Sequence, residues 1–408
     1  MSCTEALSQW EQTVSRHLPH LSRPQVVVLA LWSYTMIVCK SCGTTSGALW
    51  LAELMGGRYE TWRQRLREWC YGAHDKKGTH RSEVVVVSCF APLLRWIVSW
   101  WAEGEHRLAL AMDASTLSDR FTVLCISVVY RGCALPVAWG IVSAGQAGEW
   151  KPEWLALLGC VERVLPAEWT VIVLADRGLY ARWLYEEIQW LGWHPFLRIN
   201  KGGKARPKGS DTYHWLGTFV PVRGYAWSGP VRCFTEASSR LDCTLVARWE
   251  DGYQDPWLIV TDLLPDLADV AWYAMRAWIE CGFKDSKRGG WQWHETKMQD
   301  PARAERHWLV MAVATLWVVS VGGEVDAQLP ASTLAALPQT HRARTHSKGR
   351  KKPRKMSCFA RGIMLITVAL VQGRSLPTGQ FVPFTWPASL ERGTVEAGCQ
   401  AEVEKTYP

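Results

Sequence analysis

The chain reads as an α/β protein built on a mixed sheet, with an all-helical stretch before it and an all-β insertion within it. Three observations carry that expectation. LALAMD (108–113), FTVLCISVVY (121–130) and CALPVAWGIV (133–142) are apolar, β-prone runs separated by turn residues, the pattern of a three-stranded meander. A helical stretch (152–164), the run VIVLAD (171–176), a second helical stretch (179–191) and PFLRIN (195–200) then alternate. Such an order lays helices on the faces of the sheet and brings acidic residues at the ends of the first and fourth strands close together.

The remaining elements follow in chain order. Residues 5–75 are helical in pattern, and within 46–69 two short amphipathic segments break at Gly56 and Gly57. The second segment carries Arg58, Arg63, Arg65 and Arg67, so the unit reads either as a helix-turn-helix that meets DNA or as plain helical packing. A loop (73–83) and another helix (about 85–103) lead into the main domain. The insertion, about 201–260, opens on the basic segment KGGKARPKGSD and ends in the strand WLIVTD (257–262). A helix beginning near Leu267 runs to the stop signal Gly289–Gly290, and the apolar HWLVMAVATLWVVSV closes the domain. The expected divisions are a helical N-terminal domain (1–103), the α/β domain (104–325) and a basic C-terminal segment (326–408). The last 50 residues give no pattern.

Composition narrows the functional classes. A chain of 408 residues with 48% hydrophobic and 21% charged residues has ample core and is neither disordered nor fibrous. The longest apolar runs fall short of the roughly 20 residues of a membrane span, and the first 25 residues lack a secretory pattern. A cytoplasmic, nucleoid-associated protein without membrane contact is expected. Thirteen scattered cysteines suit a reducing compartment; the lone pair Cys39 and Cys42 reads as core rather than zinc site. The charge of +8 is local: residues 327–390 hold ten Lys or Arg and no acid, while elsewhere 36 basic residues face 38 acidic ones. The run HRARTHSKGRKKPRK (341–355) suits the phosphates of nucleic acid, or a solvated linker. Twenty-six tryptophans suit either sugar or base stacking, so the carboxylates must decide.

Asp113 ends the first strand, Asp176 ends the fourth, and Glu280 lies on the late helix. Three hard oxygen donors around one cleft suit Mg²⁺. On that helix Tyr273, Arg276, Glu280, Lys284 and Lys287 fall within an arc of roughly 80° at 100° per residue. A carboxylate set among three cations and a phenol reads as a salt-bridged solvent face or as a metal ligand beside phosphate-gripping cations.

The spacing Tyr273-x2-Arg276-x3-Glu280-x6-Lys287 resembles the Tyr-Arg-Glu-Lys signature of a family of bacterial cut-and-paste DDE transposases. AMDAST (111–116) and LADRGLY (174–180) resemble its two aspartate blocks, and the likeness spans 107–322. The resemblance implies a ribonuclease-H-like catalytic domain with Asp113, Asp176 and Glu280 as catalytic ligands of two Mg²⁺ ions, Mn²⁺ substituting. It implies double-stranded DNA as partner, both terminal inverted repeats and target, and a homodimer in the DNA complex. DNA-binding roles fall to Tyr273, Arg276, Lys284 and Lys287, to Arg198 and Lys201 at the insertion's start, and to Trp257 as a stacking platform for a flipped base. Gly178 stands where members often carry glutamate, so no role passes to that position. The chemistry implied is hydrolysis, then transesterification by a DNA 3′-hydroxyl. A catalytically silent DNA-binding derivative is the alternative. A carbohydrate hydrolase fits poorly, since cations around the late carboxylate do not raise its pKa for general-acid work.

Overall fold

A computed structural model describes residues 3–77, 81–145, 150–250, 253–328 and 356–389. The basic run 341–355 lies outside them. Helices α1 (Cys3–His17), α2 (Arg23–Cys39), α3 (Thr44–Met55), α4 (Tyr59–Trp69) and α5 (Phe90–Ser99) come first. The break between α3 and α4 falls at Gly56 and Gly57, both with positive φ, a conformation that costs glycine little. The segment from 85 is a short 3₁₀ turn before α5, not one helix.

The sheet begins with β1 (Arg107–Leu117), β2 (Phe121–Tyr130) and β3 (Cys133–Ser143). Helix α6 (Lys151–Val161), β4 (Thr170–Ala175), α7 (Arg182–Trp190) and β5 (His194–Arg198) follow. β1 pairs antiparallel with β2, and β2 with β3, while β4 lies parallel to both β1 and β5. The spatial order β3-β2-β1-β4-β5 is compatible with a ribonuclease-H-like domain. β2 is buried along its whole length, as a strand covered on both faces must be.

The segment expected as an all-β insertion holds β6 (Lys204–Pro207), β7 (His214–Trp215), β8 (Ala226–Cys233), β9 (Leu241–Arg248) and β10 (Trp257–Thr261). These strands do not form a separate sheet. β10 pairs antiparallel with β5, so all ten strands make one sheet ordered β3-β2-β1-β4-β5-β10-β9-β8-β6-β7.

The late helix departs from expectation. Val270–Arg276 is 3₁₀, and the α-helix, α8 (Ala277–Ser286), starts only after Arg276. The even 100° spacing of Tyr273 to Lys287 therefore fails at both ends, since a 3₁₀ turn advances about 120° per residue and Lys287 is already the C-cap.

α9 (Pro301–Ala327) is the central core helix. It is long and apolar enough to cross a bilayer, longer than the apolar run in the sequence indicates, but 89% of its apolar window is buried inside the protein. The N-terminal helices share its core: Trp10 of α1 stacks on Trp317 at 3.8 Å, and Trp69 of α4 donates its indole N–H to the Arg306 carbonyl at 2.8 Å. α10 (Cys358–Val371) packs on α9 and also touches α2. Beyond it, an extended strap pairs Phe381 with Trp101 and lays Trp386 against Trp272.

Candidate active site

The strand register builds the site. Met112 is paired with Ala175 in the parallel β1–β4 ladder, so the next residues, Asp113 and Asp176, lie side by side where β4 ends. Asp113 does not end its strand as expected, because β1 runs on to Leu117 paired with β2. Each carboxylate accepts the N–H of the following residue, Ala114 at 2.9 Å and Arg177 at 2.7 Å. α8 packs over β1, β2 and β3 and brings Glu280 to the same place.

Arg276 is the hub. Its Nη2 lies 2.9 Å from Asp113 Oδ2 and 3.7 Å from Asp176 Oδ2, and its Nη1 lies 2.5 Å from Glu280 Oε1. The arginine side chain is 8% exposed, whereas Asp113, Asp176 and Glu280 are 19%, 34% and 33% exposed. The cation is thus deeper than the acids it joins. Its Nε is buried without a hydrogen-bond partner.

The neighbouring groups sort by distance. The Tyr273 hydroxyl donates to Asp176 Oδ1 at 3.3 Å, and Arg198 Nη1 approaches the same oxygen at 3.9 Å. Lys287 donates to Ser115 Oγ and the Thr116 carbonyl, both at 2.8 Å, tying the end of α8 to the chain just past Asp113. Lys201 instead pairs with Asp255 at 3.0 Å, which Arg177 also approaches at 3.5 Å. Lys284 is exposed. Trp257 does not present a platform to solvent: it is 9% exposed and lies edge-on to Tyr253 and Tyr273 at 4.9 and 5.5 Å. A β-strand position beside the sheet's covered face buried this ring, and sequence cannot separate that from display.

Burial and charge pull the acids apart. Burial raises the Asp113 carboxyl above its ordinary value, with Arg276 opposing and the other two acids adding. Burial also pushes Asp176 up, but Arg276, the Arg177 amide, Arg198 and Tyr273 together leave it lowered. Burial depresses Lys287. It lowers Arg276 too, yet the surrounding acids more than reverse this and secure its charge.

Three carboxylates supply the hard donors a divalent cation takes. As they stand they converge on Arg276, and no group of three or more His, Cys, Asp or Glu among the described residues is set to hold an ion directly. The donor chemistry fits; the space between the donors is filled by a guanidinium.

Two supporting features escaped the sequence reading. Asp269 caps the 3₁₀ turn by accepting the Ala271 N–H at 2.8 Å, and Ser389 of the strap donates to the same carboxylate through its N–H and hydroxyl at 2.6 and 2.5 Å. The C-terminal segment, unpatterned in sequence, therefore buttresses the turn that carries Tyr273 and Arg276. Asp285 lies near the end of α8. Burial pushes its carboxyl up to about 7, against Lys284, from 3.8. Because the folded value is the higher one, the folded state keeps a proton that the unfolded chain releases, and stability falls as pH rises through that window. Asp285→Asn is expected to raise the melting temperature at pH 8 and leave it unchanged near pH 4. An equal shift at both pH values refutes the assignment.

Residues 151–317 match the family model for the transposase DDE domain. The matched stretch contains Asp176, Tyr273, Arg276 and Glu280 and begins after Asp113. No curated protein matches the chain. The family match supports a DDE transposase, a metal-dependent nuclease class that acts on DNA.

Proposed function

We propose that this protein cuts the ends of an insertion sequence and joins them to target DNA. Asp113, Asp176 and Glu280 would hold divalent cations, Mg²⁺ or Mn²⁺, which would activate the attacking oxygen and neutralise charge on the phosphodiester. The observation that carries this reading is the meeting of three carboxylates from β1, β4 and α8 at one cation.

The surrounding residues bind and orient the strand. Arg198, Lys287 and Arg276 supply the positive charge that a phosphate between the strand ends requires, and guanidinium groups grip phosphate oxygens in pairs. Tyr273 donates its hydroxyl to Asp176, and burial raises its phenol well above the ordinary value. A phenol held protonated is a hydrogen-bond donor and a poor nucleophile, so hydrolysis followed by attack of the freed 3′-hydroxyl needs no protein–DNA bond. Lys284 and Lys201, farther out, extend the basic track for the duplex. Paired cutting of two ends calls for a homodimer on DNA.

Metal-dependent cleavage of a plasmid carrying the element's own flanking ends tests this, with the phosphates radiolabelled. Cleavage at the ends in Mg²⁺, with no label left on protein, is the expected result. Intact plasmid in both Mg²⁺ and Mn²⁺ refutes the enzyme reading in favour of a silent DNA-binding protein; retained label refutes the role given to Tyr273.

A further inference from the structure

We infer that Arg276 is the resident counter-ion of the three-carboxylate site and competes with the divalent cation, so the metal is admitted only as the guanidinium turns away. The inference rests on the metal-site reading above. One side chain answers all three acids, through Nη2 to Asp113 and Asp176 and through Nη1 to Glu280. A cation drawn to those oxygens seeks the same lone pairs and the same space, because Mg²⁺ binds carboxylate oxygen at roughly 2.0–2.1 Å. The two positive charges also repel at short range.

Without some cation the three acids would repel one another in a half-buried pocket, Asp113 being the most buried of them. Arg276 removes that repulsion while no metal is bound. It is placed to do so by the junction between the 3₁₀ turn and α8, where Arg276 is the last residue of one and the N-cap of the other. Its Nε marks the arrangement as incomplete. A buried N–H without an acceptor costs free energy, and a rotated guanidinium that offers Nε and one Nη to a phosphate would satisfy it. Arrival of a strand and arrival of metal are then favourable to each other, since each relieves what the other disturbs.

Mn²⁺ binding to the full-length, DNA-free protein tests the idea, read by electron paramagnetic resonance of the free ion. Arg276→Gln is expected to bind Mn²⁺ at least tenfold more tightly than wild type, and Asp113→Asn in the same background is expected to abolish the gain. A dissociation constant for Arg276→Gln equal to or weaker than that of wild type overturns the inference while leaving the metal site standing. Absence of any bound Mn²⁺ in every protein overturns the metal-site reading and the inference with it. A second measurement needs only wild type and the charge-retaining Arg276→Lys, whose missing resonance identifies the Arg276 Nε–H in a spectrum of ¹⁵N-arginine protein. Saturating Mg²⁺ should turn that proton from slow to fast exchange with water; unchanged protection overturns the inference even if Arg276→Gln does not fold.

Discussion

Asp113→Asn and Glu280→Gln each lower metal-dependent strand cleavage on the order of 10³-fold or more, with DNA binding retained. Both substitutions keep the shape of the side chain and remove its charge, so they separate metal-ligand loss from a packing defect. The structure bounds the side effect on stability. Arg276 keeps two of its three acidic partners in either variant, so the penalty stays below the ~3–5 kcal/mol of a buried pair that loses its only partner. Circular dichroism and a thermal melt should therefore be close to wild type while cleavage is lost. The comparison of Glu280 with Lys284 is the sharper control. Both lie on α8, but Lys284 is exposed, so Lys284→Gln is expected to weaken DNA binding slightly at low salt. If Glu280→Gln cleaves as well as wild type, the face of α8 toward Arg276 is a salt-bridged surface and the third ligand must be sought elsewhere.

What the sequence allowed to be read, and what it hid, divides by the range of the interactions. The three apolar runs of the meander and the two alternating strands were legible because their periodicity is local. The meeting of Asp113 with Asp176 followed from strand order, since neighbouring parallel strands with Met112 opposite Ala175 place the next residues together; that β1 continues past Asp113 to Leu117 was not foreseen. Glu280 was singled out by the cations spaced along the chain, of which Arg276 meets it while Lys287 turns to Ser115 and Thr116. The break in the late helix was not legible, because no glycine or proline stands at the junction of Val270–Arg276 with Ala277–Ser286. What distinguishes the first half is tertiary, an Asp269 cap held by Ser389 some 120 residues away. The burial of Trp257 was equally hidden: an apolar strand beside aromatic partners looks the same whether its ring is displayed or covered. Nor does charge spacing reveal that Arg276 serves all three acids at once, since that depends on β1 and β4 as well as α8.

Gly362→Ala is expected to destabilise the protein by about 2 kcal/mol or more, although helix propensity alone argues the other way. Alanine in a helix interior is favoured over glycine by ~0.5–1 kcal/mol, so the two effects differ in sign and a denaturation curve decides between them. A methyl group at Gly362 would overlap the Val318 backbone carbonyl of α9, and one at Gly322 of α9 would overlap the Cys358 carbonyl of α10. The helices thus touch backbone to backbone at two reciprocal glycines, and no rotamer change can make room. Gly379 meets the backbone of Ser320 in the same way, which seats the start of the strap against α9. Pushing α10 outward carries the strap with it and loosens Ser389 from Asp269, so cleavage should fall along with stability. Met364→Ala on the exposed side of the same helix is the control and should be within ~0.5 kcal/mol of wild type. If Gly362→Ala is as stable as wild type in urea, the close crossing of α9 and α10 is not what holds the strap against the turn that carries Tyr273 and Arg276.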